Sequence, residues 1–273
     1  MINRITTLLI ICIFSLTTLT TLSAQNNVAQ FIAQLKANAE HGDTMAQCAL
    51  GAYYFNGIGV TKDYVEAVKW FRMAAEEGVP LAQSCLGACY EHGQGVTKNY
   101  AEAVRWYKKS AEKGIAASQY NLGTCYKRGL GIDKDYTEAA KWYKKAAEQG
   151  HAKAQYNLGF CFFNGEGVIK NHTEAVKWFR EAADQGLAKA QHGLGYCYYI
   201  GYGVAQDYAE AVRWFKKAAE QGLAEAQCNV GLCYEYGDGV TKNMTEAIRW
   251  YKEAARGGYQ EAKRMLSNLG ITW

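Results

Sequence analysis

Apolar and small residues recur along this chain with a period of 36 residues. Tryptophan occupies positions 70, 106, 142, 178, 214 and 250, and glycine occupies positions 51, 87, 123, 159, 195 and 231. Within one period, one side of a helical wheel is apolar, which predicts an amphipathic helix with Ala67, Val68, Trp70, Phe71 and Ala74 on its buried face. Uninterrupted periods of one length are typical of repeat proteins, in which each unit packs on its neighbours.

Each period contains the start and stop signals of two helices. In the first repeat, one helix is predicted from about Thr44 to Phe55, and it ends where Gly57 can adopt a left-handed backbone. The second helix begins at an Asp or Asn followed three residues later by Glu, as at Asp63 and Glu66, which is the pattern of a capping box. We therefore expect an all-α chain in which every unit is a helix-turn-helix.

These repeating residues resemble the Sel-1-like repeat, a relative of the tetratricopeptide repeat. In the fourth repeat the resemblance is carried by AQYNLGFCFFNGEGV over residues 154–168, EAVKWF over 174–179 and AADQG over 182–186. It implies a right-handed superhelical solenoid of six 36-residue helix-turn-helix repeats, and usually an adaptor or scaffold role. The repeats are predicted over residues 39–74, 75–110, 111–146, 147–182, 183–218 and 219–254.

Residues 1–24 have the pattern of a cleaved secretory signal peptide. Arg4 precedes an apolar run over 5–14, and small residues precede a predicted cleavage point between Ala24 and Gln25. An uncleaved membrane anchor is the alternative, but the strongly apolar run is much shorter than the roughly 20 residues that span a bilayer. We expect a secreted or periplasmic protein that does not stay inserted in a membrane after cleavage of the signal.

The segments that flank the repeats are predicted to cap the solenoid. Residues 25–38 and 255–273 each carry apolar side chains at helical spacing, so we expect an N-terminal and a C-terminal capping helix. The net charge of +4 is too small to argue for binding to nucleic acid. The sequence does not indicate an oligomeric state.

Comparison of the six copies predicts where a partner binds. On the first helix, the residues that repeat occupy one side of the wheel, and those that change from copy to copy occupy the other. Because packing against near-identical neighbours demands the same residues, we expect the changing side to be exposed. In tetratricopeptide-like arrays the first helices line a concave groove, so the resemblance implies that this side lines such a groove. The predicted groove residues are the aromatic group Tyr120, Tyr156, Phe160, Phe163, Tyr196 and Tyr199, with His192 among them, and the polar residues Glu91, Lys127, Arg128 and Glu235. The alternative is that the rings stack on each other across adjacent repeats.

Two further groups of polar residues are candidates for binding. Asn121, Asn157 and Asn229 share one column beside the groove residues. In related repeats an Asn on the first helix bonds the backbone of an extended peptide, so the resemblance implies this role here, with a local bond between helices as the alternative. The second helices carry rows of Lys and Arg that could bind an anion, but helical charge pairs on a solvated face are the favoured interpretation.

The residues do not indicate catalysis, a cofactor or a metal site. Five cysteines fill one column of the first helices, at 89, 125, 161, 197 and 233, and we expect them to be buried thiols without cross-links. Some cysteine-rich bacterial relatives are described as binding or hydrolysing penicillins, but they pair two cysteines per unit, and this chain has none in a second helix. Our interpretation is an exported, non-catalytic scaffold that binds a protein or peptide in the groove, with penicillin hydrolysis or binding of envelope polysaccharide as alternatives.

Overall fold

The computed structural model describes residues 22–272, with side chains from residue 28 onward, so nearly all of the predicted signal peptide lies outside the described residues. This part of the chain contains helices and no strands, which confirms the all-α fold class. The helices are α1 (Leu22–Glu40), α2 (Thr44–Asn56), α3 (Tyr64–Glu76), α4 (Pro80–His92), α5 (Tyr100–Glu112), α6 (Ala116–Arg128), α7 (Tyr136–Glu148), α8 (Ala152–Asn164), α9 (His172–Asp184), α10 (Ala188–Ile200), α11 (Tyr208–Glu220), α12 (Ala224–Tyr236), α13 (Met244–Arg256) and α14 (Gln260–Asn268).

Six helix pairs, α2–α3 to α12–α13, form the predicted repeats, and we number them 1 to 6. The chain divides into two compact units, and the boundary between Asp135 and Tyr136 lies at the start of α7, the second helix of repeat 3. In the first unit, Ile32 of α1 packs with Leu50 and Trp70 of repeat 1. In the second unit, Leu266 of α14 packs with the last repeat. Each terminal helix therefore covers the apolar face of the repeat beside it.

The ends of the helices explain why they begin and end where they do. First helices end at a glycine with a left-handed backbone, such as Gly57 with φ of 70°. Second helices begin at the predicted caps, and the Asp63 carboxylate accepts hydrogen bonds from the amides of Val65 and Glu66. The other half of the predicted capping box is wrong: the Asp63 amide donates to a carbonyl of the first helix, and the Glu66 carboxylate pairs with Lys69 instead.

Within a repeat, the two helices approach closely because a glycine of the first faces an aromatic ring of the second. A Cβ atom added at Gly87 would lie 2.7 Å from the ring of Tyr107, and one added at Gly195 would lie 2.7 Å from the ring of Phe215. Such distances leave no room for any other side chain, which accounts for the glycine in every copy.

Between repeats, the recurring glutamine of the first helix bonds the preceding second helix. The Gln83 amide nitrogen donates to the carbonyl oxygen of Ala75 at 3.0 Å, and that of Gln191 donates to Ala183 at 3.2 Å. Both glutamines are buried, and their hydrogen bonds satisfy a carbonyl at the end of a helix. This column is constant because it joins one repeat to the next.

The basic rows of the second helices are largely engaged within the chain. Lys69, Arg105, Lys141, Arg213 and Arg249 pair with the glutamates three residues before them. In the next row, Arg72 donates to the hydroxyl of Tyr90 in the following repeat at 2.8 Å, and Lys216 donates to Tyr234 in the same way. These contacts agree with the prediction of helical charge pairs.

Candidate functional site

Four rings of repeats 4 and 5 form a partly exposed cluster, which we call the aromatic patch: Phe163, His172, Tyr196 and Tyr202. The Phe163 ring lies 6.3 Å from Tyr196, 6.1 Å from Tyr202 and 5.0 Å from His172, measured between ring centroids. His172 also stacks on Tyr202 at 4.6 Å. Tyr196 and Tyr202 remain 43% and 45% exposed. The structure therefore unites two predicted residues, Phe163 and Tyr196, with two that were not predicted.

The other predicted aromatic residues are more deeply packed. Tyr156 is half-buried between Phe160 and Phe179, at 6.4 and 5.7 Å. Tyr199 is also half-buried, and its hydroxyl donates to the Asp238 carboxylate at 2.7 Å. Burial and this hydrogen bond raise the pKa of Tyr199, so the phenol stays protonated at neutral pH. Tyr156 thus packs on rings of its own repeat, and the Tyr199 hydroxyl is bonded to the loop of the next repeat.

One of the three predicted asparagines has a defined contact between repeats. The side-chain nitrogen of Asn229 lies 2.9 Å from Nε2 of His192, in the preceding repeat, so the alternative of a local bond between helices holds for Asn229. Burial lowers the pKa of His192, while the nearby Glu225 carboxylate opposes that change. Asn121 and Asn157 are half-buried.

The expectation that changing positions are exposed is wrong at several places. Cys48, Ala52 and Cys228 lie in changing columns, and each is only 1% or 2% exposed. Small side chains at these positions are covered by larger neighbours, so variation between copies reflects the size of the side chain as well as contact with solvent.

Polar residues in one changing column bond a buried ring instead of facing a partner. The Glu91 carboxylate accepts a hydrogen bond from Tyr107 at 2.6 Å, and Glu235 accepts one from Tyr251 at 2.5 Å. In repeat 1 the same two positions hold Phe55 and a second phenylalanine, with ring centroids 6.3 Å apart. In these repeats the column varies together with the ring that it covers, and a glutamate accepts the hydrogen bond of the buried hydroxyl where the ring is a tyrosine.

The remaining predicted groove residues lie in the first compact unit, whereas the aromatic patch lies in the second. Tyr120 and Lys127 are half-buried on α6, and Arg128 is exposed at the end of that helix. The carbonyl oxygen of Tyr120 accepts a hydrogen bond from the Thr124 hydroxyl at 3.0 Å. Their place on α6 agrees with the predicted helix.

The eight cysteines of the described residues are buried free thiols. Burial raises the pKa of Cys48 to about 11 and that of Cys89 to about 12, which leaves almost no reactive thiolate at neutral pH. The cysteines of the predicted column are buried and without cross-links, and so are Cys48, Cys85 and Cys228, which lie outside that column.

One sequence motif bears on the penicillin alternative. Ser110 and Lys113 have the Ser-x-x-Lys spacing of acyl-enzyme serines. The Ser110 side chain is fully buried and donates to the Pro80 carbonyl at 2.7 Å, while the Lys113 ammonium donates to the Gly78 carbonyl. Each group has a different partner within the fold, so the pair is not arranged as a nucleophile and its base.

Metal binding and membrane insertion are two further possibilities for residues 22–272. This part of the chain has no group of three or more His, Cys, Asp or Glu side chains that could hold a metal ion. None of its helices has both the length and the apolar character required to cross a bilayer.

Tyr202 is the functional candidate that sequence reasoning missed. It occupies the middle of a Gly-x-Gly turn, where the other repeats carry Ile58, Gln94, Leu130, Glu166 and Asp238. The variation of this loop position is visible in the sequence, but the position lies outside the first helices, on which the groove prediction rests. The structure adds that the loop of one repeat packs on the second helix of the repeat before it, since Gly203 lies against the backbone of His172.

Comparison with solved structures gives two extensive similarities. One is to c5321, a protective antigen present in uropathogenic Escherichia coli strains that displays an SLR fold, with 38% identity and a TM-score of 0.83, over 89% of this chain and 52% of that one. The other is to a Sel1 repeat protein from Oxalobacter formigenes, with 33% identity and a TM-score of 0.75, over 85% of this chain and 93% of that one.

Among curated proteins, 67 residues of this chain are 43% identical to Secretory immunoglobulin A-binding protein EsiB of Escherichia coli O6:H1 (strain CFT073). The match spans 24% of this chain and 13% of that protein. The chain thus spans about half of c5321 and a small part of EsiB.

The Sel1 repeat profile matches six consecutive segments, residues 44–79, 80–115, 116–151, 152–187, 188–223 and 224–259. Its frame keeps the predicted period and begins each repeat at the first residue of a first helix, five positions after the predicted boundaries. Since these segments cover most of its length, the chain belongs to the Sel1 repeat family.

Proposed function

We propose that this protein is an exported, non-catalytic scaffold that binds a segment of a partner protein on the first-helix side of repeats 4 and 5. The observation that carries the proposal is the aromatic patch, in which Tyr196 and Tyr202 are exposed beside the half-buried Phe163. The groove predicted from the first helices is the expected path of the bound segment.

The chemistry of the patch suits a protein ligand. Aromatic side chains bury about 150–250 Å² each when covered, and tyrosine is enriched among the residues that dominate binding energy at protein interfaces. The contacts of His172 with Phe163 and Tyr202 hold the rings in place before a partner arrives. A preformed surface loses little conformational entropy on binding, which favours affinity.

The relatives support the same class of function. Sel1 repeat proteins usually bind other proteins, and EsiB is named for binding secretory immunoglobulin A. We propose protein binding for this chain without transferring that partner, because the match to EsiB is short. The predicted signal peptide supports export, and the buried thiols and the separately bonded Ser110 and Lys113 support a role without catalysis.

The first test exchanges patch residues for those of other repeats. The double variant Tyr196→Thr with Tyr202→Gln introduces the residues that repeat 3 has at 124 and repeat 2 has at 94, so the fold should tolerate both. Peptides selected from a random display library on the purified protein should bind the double variant at least about tenfold more weakly, because two interface anchors are lost. Fluorescence anisotropy measures the affinity, and the unfolding midpoint should not change.

A matched control is Val65→Thr, which also removes an exposed apolar side chain, 66% exposed, but lies on α3 in the first unit. This variant should bind the selected peptides as the unmodified protein does. Failure to select any peptide, or equal affinity of the double variant, would rule out the patch as the binding site.

A further inference from the structure

A lysine of the chain covers a tyrosine ring in repeats 1 and 2. The Lys62 ammonium nitrogen lies 4.7 Å from the ring centroid of Tyr64, and that of Lys98 lies 4.7 Å from the centroid of Tyr100. Both tyrosines are the first residue of a second helix, and both lysines stand two residues before them. These contacts are cation–π interactions, in which a ring face attracts a positive charge.

Repeat 5 has the tyrosine but not the lysine. Gln206 stands where all five other repeats have lysine, and it precedes Tyr208. Its side-chain nitrogen donates to the carbonyl oxygen of Tyr199 at 2.8 Å and to the hydroxyl of Tyr208 at 3.0 Å. Tyr208 is 37% exposed, and no ammonium or guanidinium group of the described residues lies over its ring.

A carboxylate is linked to this uncovered ring through Tyr199. The rings of Tyr199 and Tyr208 meet edge to face at 5.1 Å, and the Tyr199 hydroxyl donates to the Asp238 carboxylate. No salt bridge involves Asp238 within the described part of the chain. The Asp238 carboxylate is therefore oriented by a hydrogen bond and has no ion-pair partner among the lysines and arginines of the described residues.

We propose that Tyr199, Tyr208 and Asp238 form a cation site that receives a lysine or arginine side chain of the partner segment. The inference rests on the proposed function and adds the chemistry of the ligand. Tyr199 lies three residues before Tyr202 of the aromatic patch, so one segment can place apolar residues on the patch and a basic residue at the cation site. The lysine contacts of repeats 1 and 2 show the geometry that the partner's cation adopts.

The test uses Nα-acetyl-lysine methylamide as a probe and Nα-acetyl-norleucine methylamide, which has a similar apolar stem without the charge, as its control. NMR titration of protein labelled on its tyrosine rings should show saturable shifts of the Tyr199 and Tyr208 signals with the lysine probe alone. Asp238→Asn should weaken this binding by about fivefold or more, because both the ring and the carboxylate contribute. Equal shifts with the two probes would overturn the inference.

Gln206→Lys supplies the missing cation from within the chain. Since lysine occurs at this position in the other five repeats, the variant should fold normally, cover Tyr208 and no longer bind the lysine probe. Gln206→Met is the matched control and should retain binding. If the lysine probe binds Gln206→Lys as well as it binds the unmodified protein, the inference is overturned. The proposed function would remain intact if the display selection gave peptides that lack basic residues but still require Tyr196 and Tyr202.

Discussion

Repeats 1 and 5 share their internal packing. Both first helices end at a left-handed glycine, Gly57 and Gly201. In each repeat a glycine lies against a buried phenylalanine of the second helix, and the distance from the added Cβ to the ring is 2.6 Å in repeat 1 and 2.7 Å in repeat 5. Their backbones therefore present the same positions to their surroundings.

The two repeats differ in what those positions carry. In repeat 1, Ala52 and Phe55 are 2% and 7% exposed. The equivalent residues of repeat 5 are Tyr196, which is 43% exposed, and Tyr199, which is half-buried. In the column of Ala52 and Tyr196, the small side chain is covered by its neighbours and the large one extends beyond them. The surface of each repeat is thus set by side-chain size at a few positions on a constant scaffold.

The largest expected effect tests the constant part of this comparison. Phe71→Ala and Phe215→Ala each empty the space that faces the recurring glycine, and each should lower the free energy of unfolding by roughly 3–5 kcal/mol. Urea denaturation followed by circular dichroism measures both variants. Tyr196→Thr, on the variable part of repeat 5, is the control and should change stability by no more than about 0.5 kcal/mol. A small loss in either core variant would mean that the two repeats are not packed alike.

The constant features are also those that the sequence predicts well. The repeat period, the glycine turns and the Asp or Asn caps are signals carried by the sequence itself. The helices and the buried column that contains Cys89 could therefore be predicted from a single sequence. Exposure could not be predicted in the same way, because it depends on the neighbours of each side chain. Copy-to-copy variation placed the buried Cys48 and the exposed Tyr196 in one class, and it missed Tyr202, which lies in a loop.

A second prediction extends the comparison to repeat 2, where the pair Glu91 and Tyr107 replaces Phe55 and Phe71 of repeat 1. Glu91→Phe leaves the buried Tyr107 hydroxyl without its acceptor and should cost about 1–3 kcal/mol of stability. Glu91→Phe with Tyr107→Phe recreates the pair of repeat 1 and should recover much of that loss. A double-mutant cycle by urea denaturation should give a coupling energy of at least about 0.5 kcal/mol. Strict additivity would show that the two positions vary independently.

The smallest expected effect concerns pH and another column in which repeats 1 and 5 differ. Repeat 5 has His192 where repeat 1 has Cys48, and burial raises the pKa of Cys48 to about 11, so this thiol does not titrate near neutral pH. Burial lowers the pKa of His192 below its value in the unfolded chain, which is about 6.5. The unfolded chain then binds more protons as the pH falls, so the contribution of His192 to stability is complete above that value and declines below it.

His192→Gln provides the matched variant, because a glutamine oxygen can accept the hydrogen bond that Asn229 donates and does not titrate. Between pH 7.5 and pH 5.0, the unmodified protein should lose more unfolding free energy than His192→Gln, and the two should respond to pH alike above pH 7.5. Urea denaturation at each pH measures the difference, in which the titrations common to both proteins cancel. A larger loss in the variant would mean that the Glu225 carboxylate outweighs burial and that the protonated imidazole is the form favoured by the fold. Repeat 5 would then have a charged centre at a position that is neutral in repeat 1.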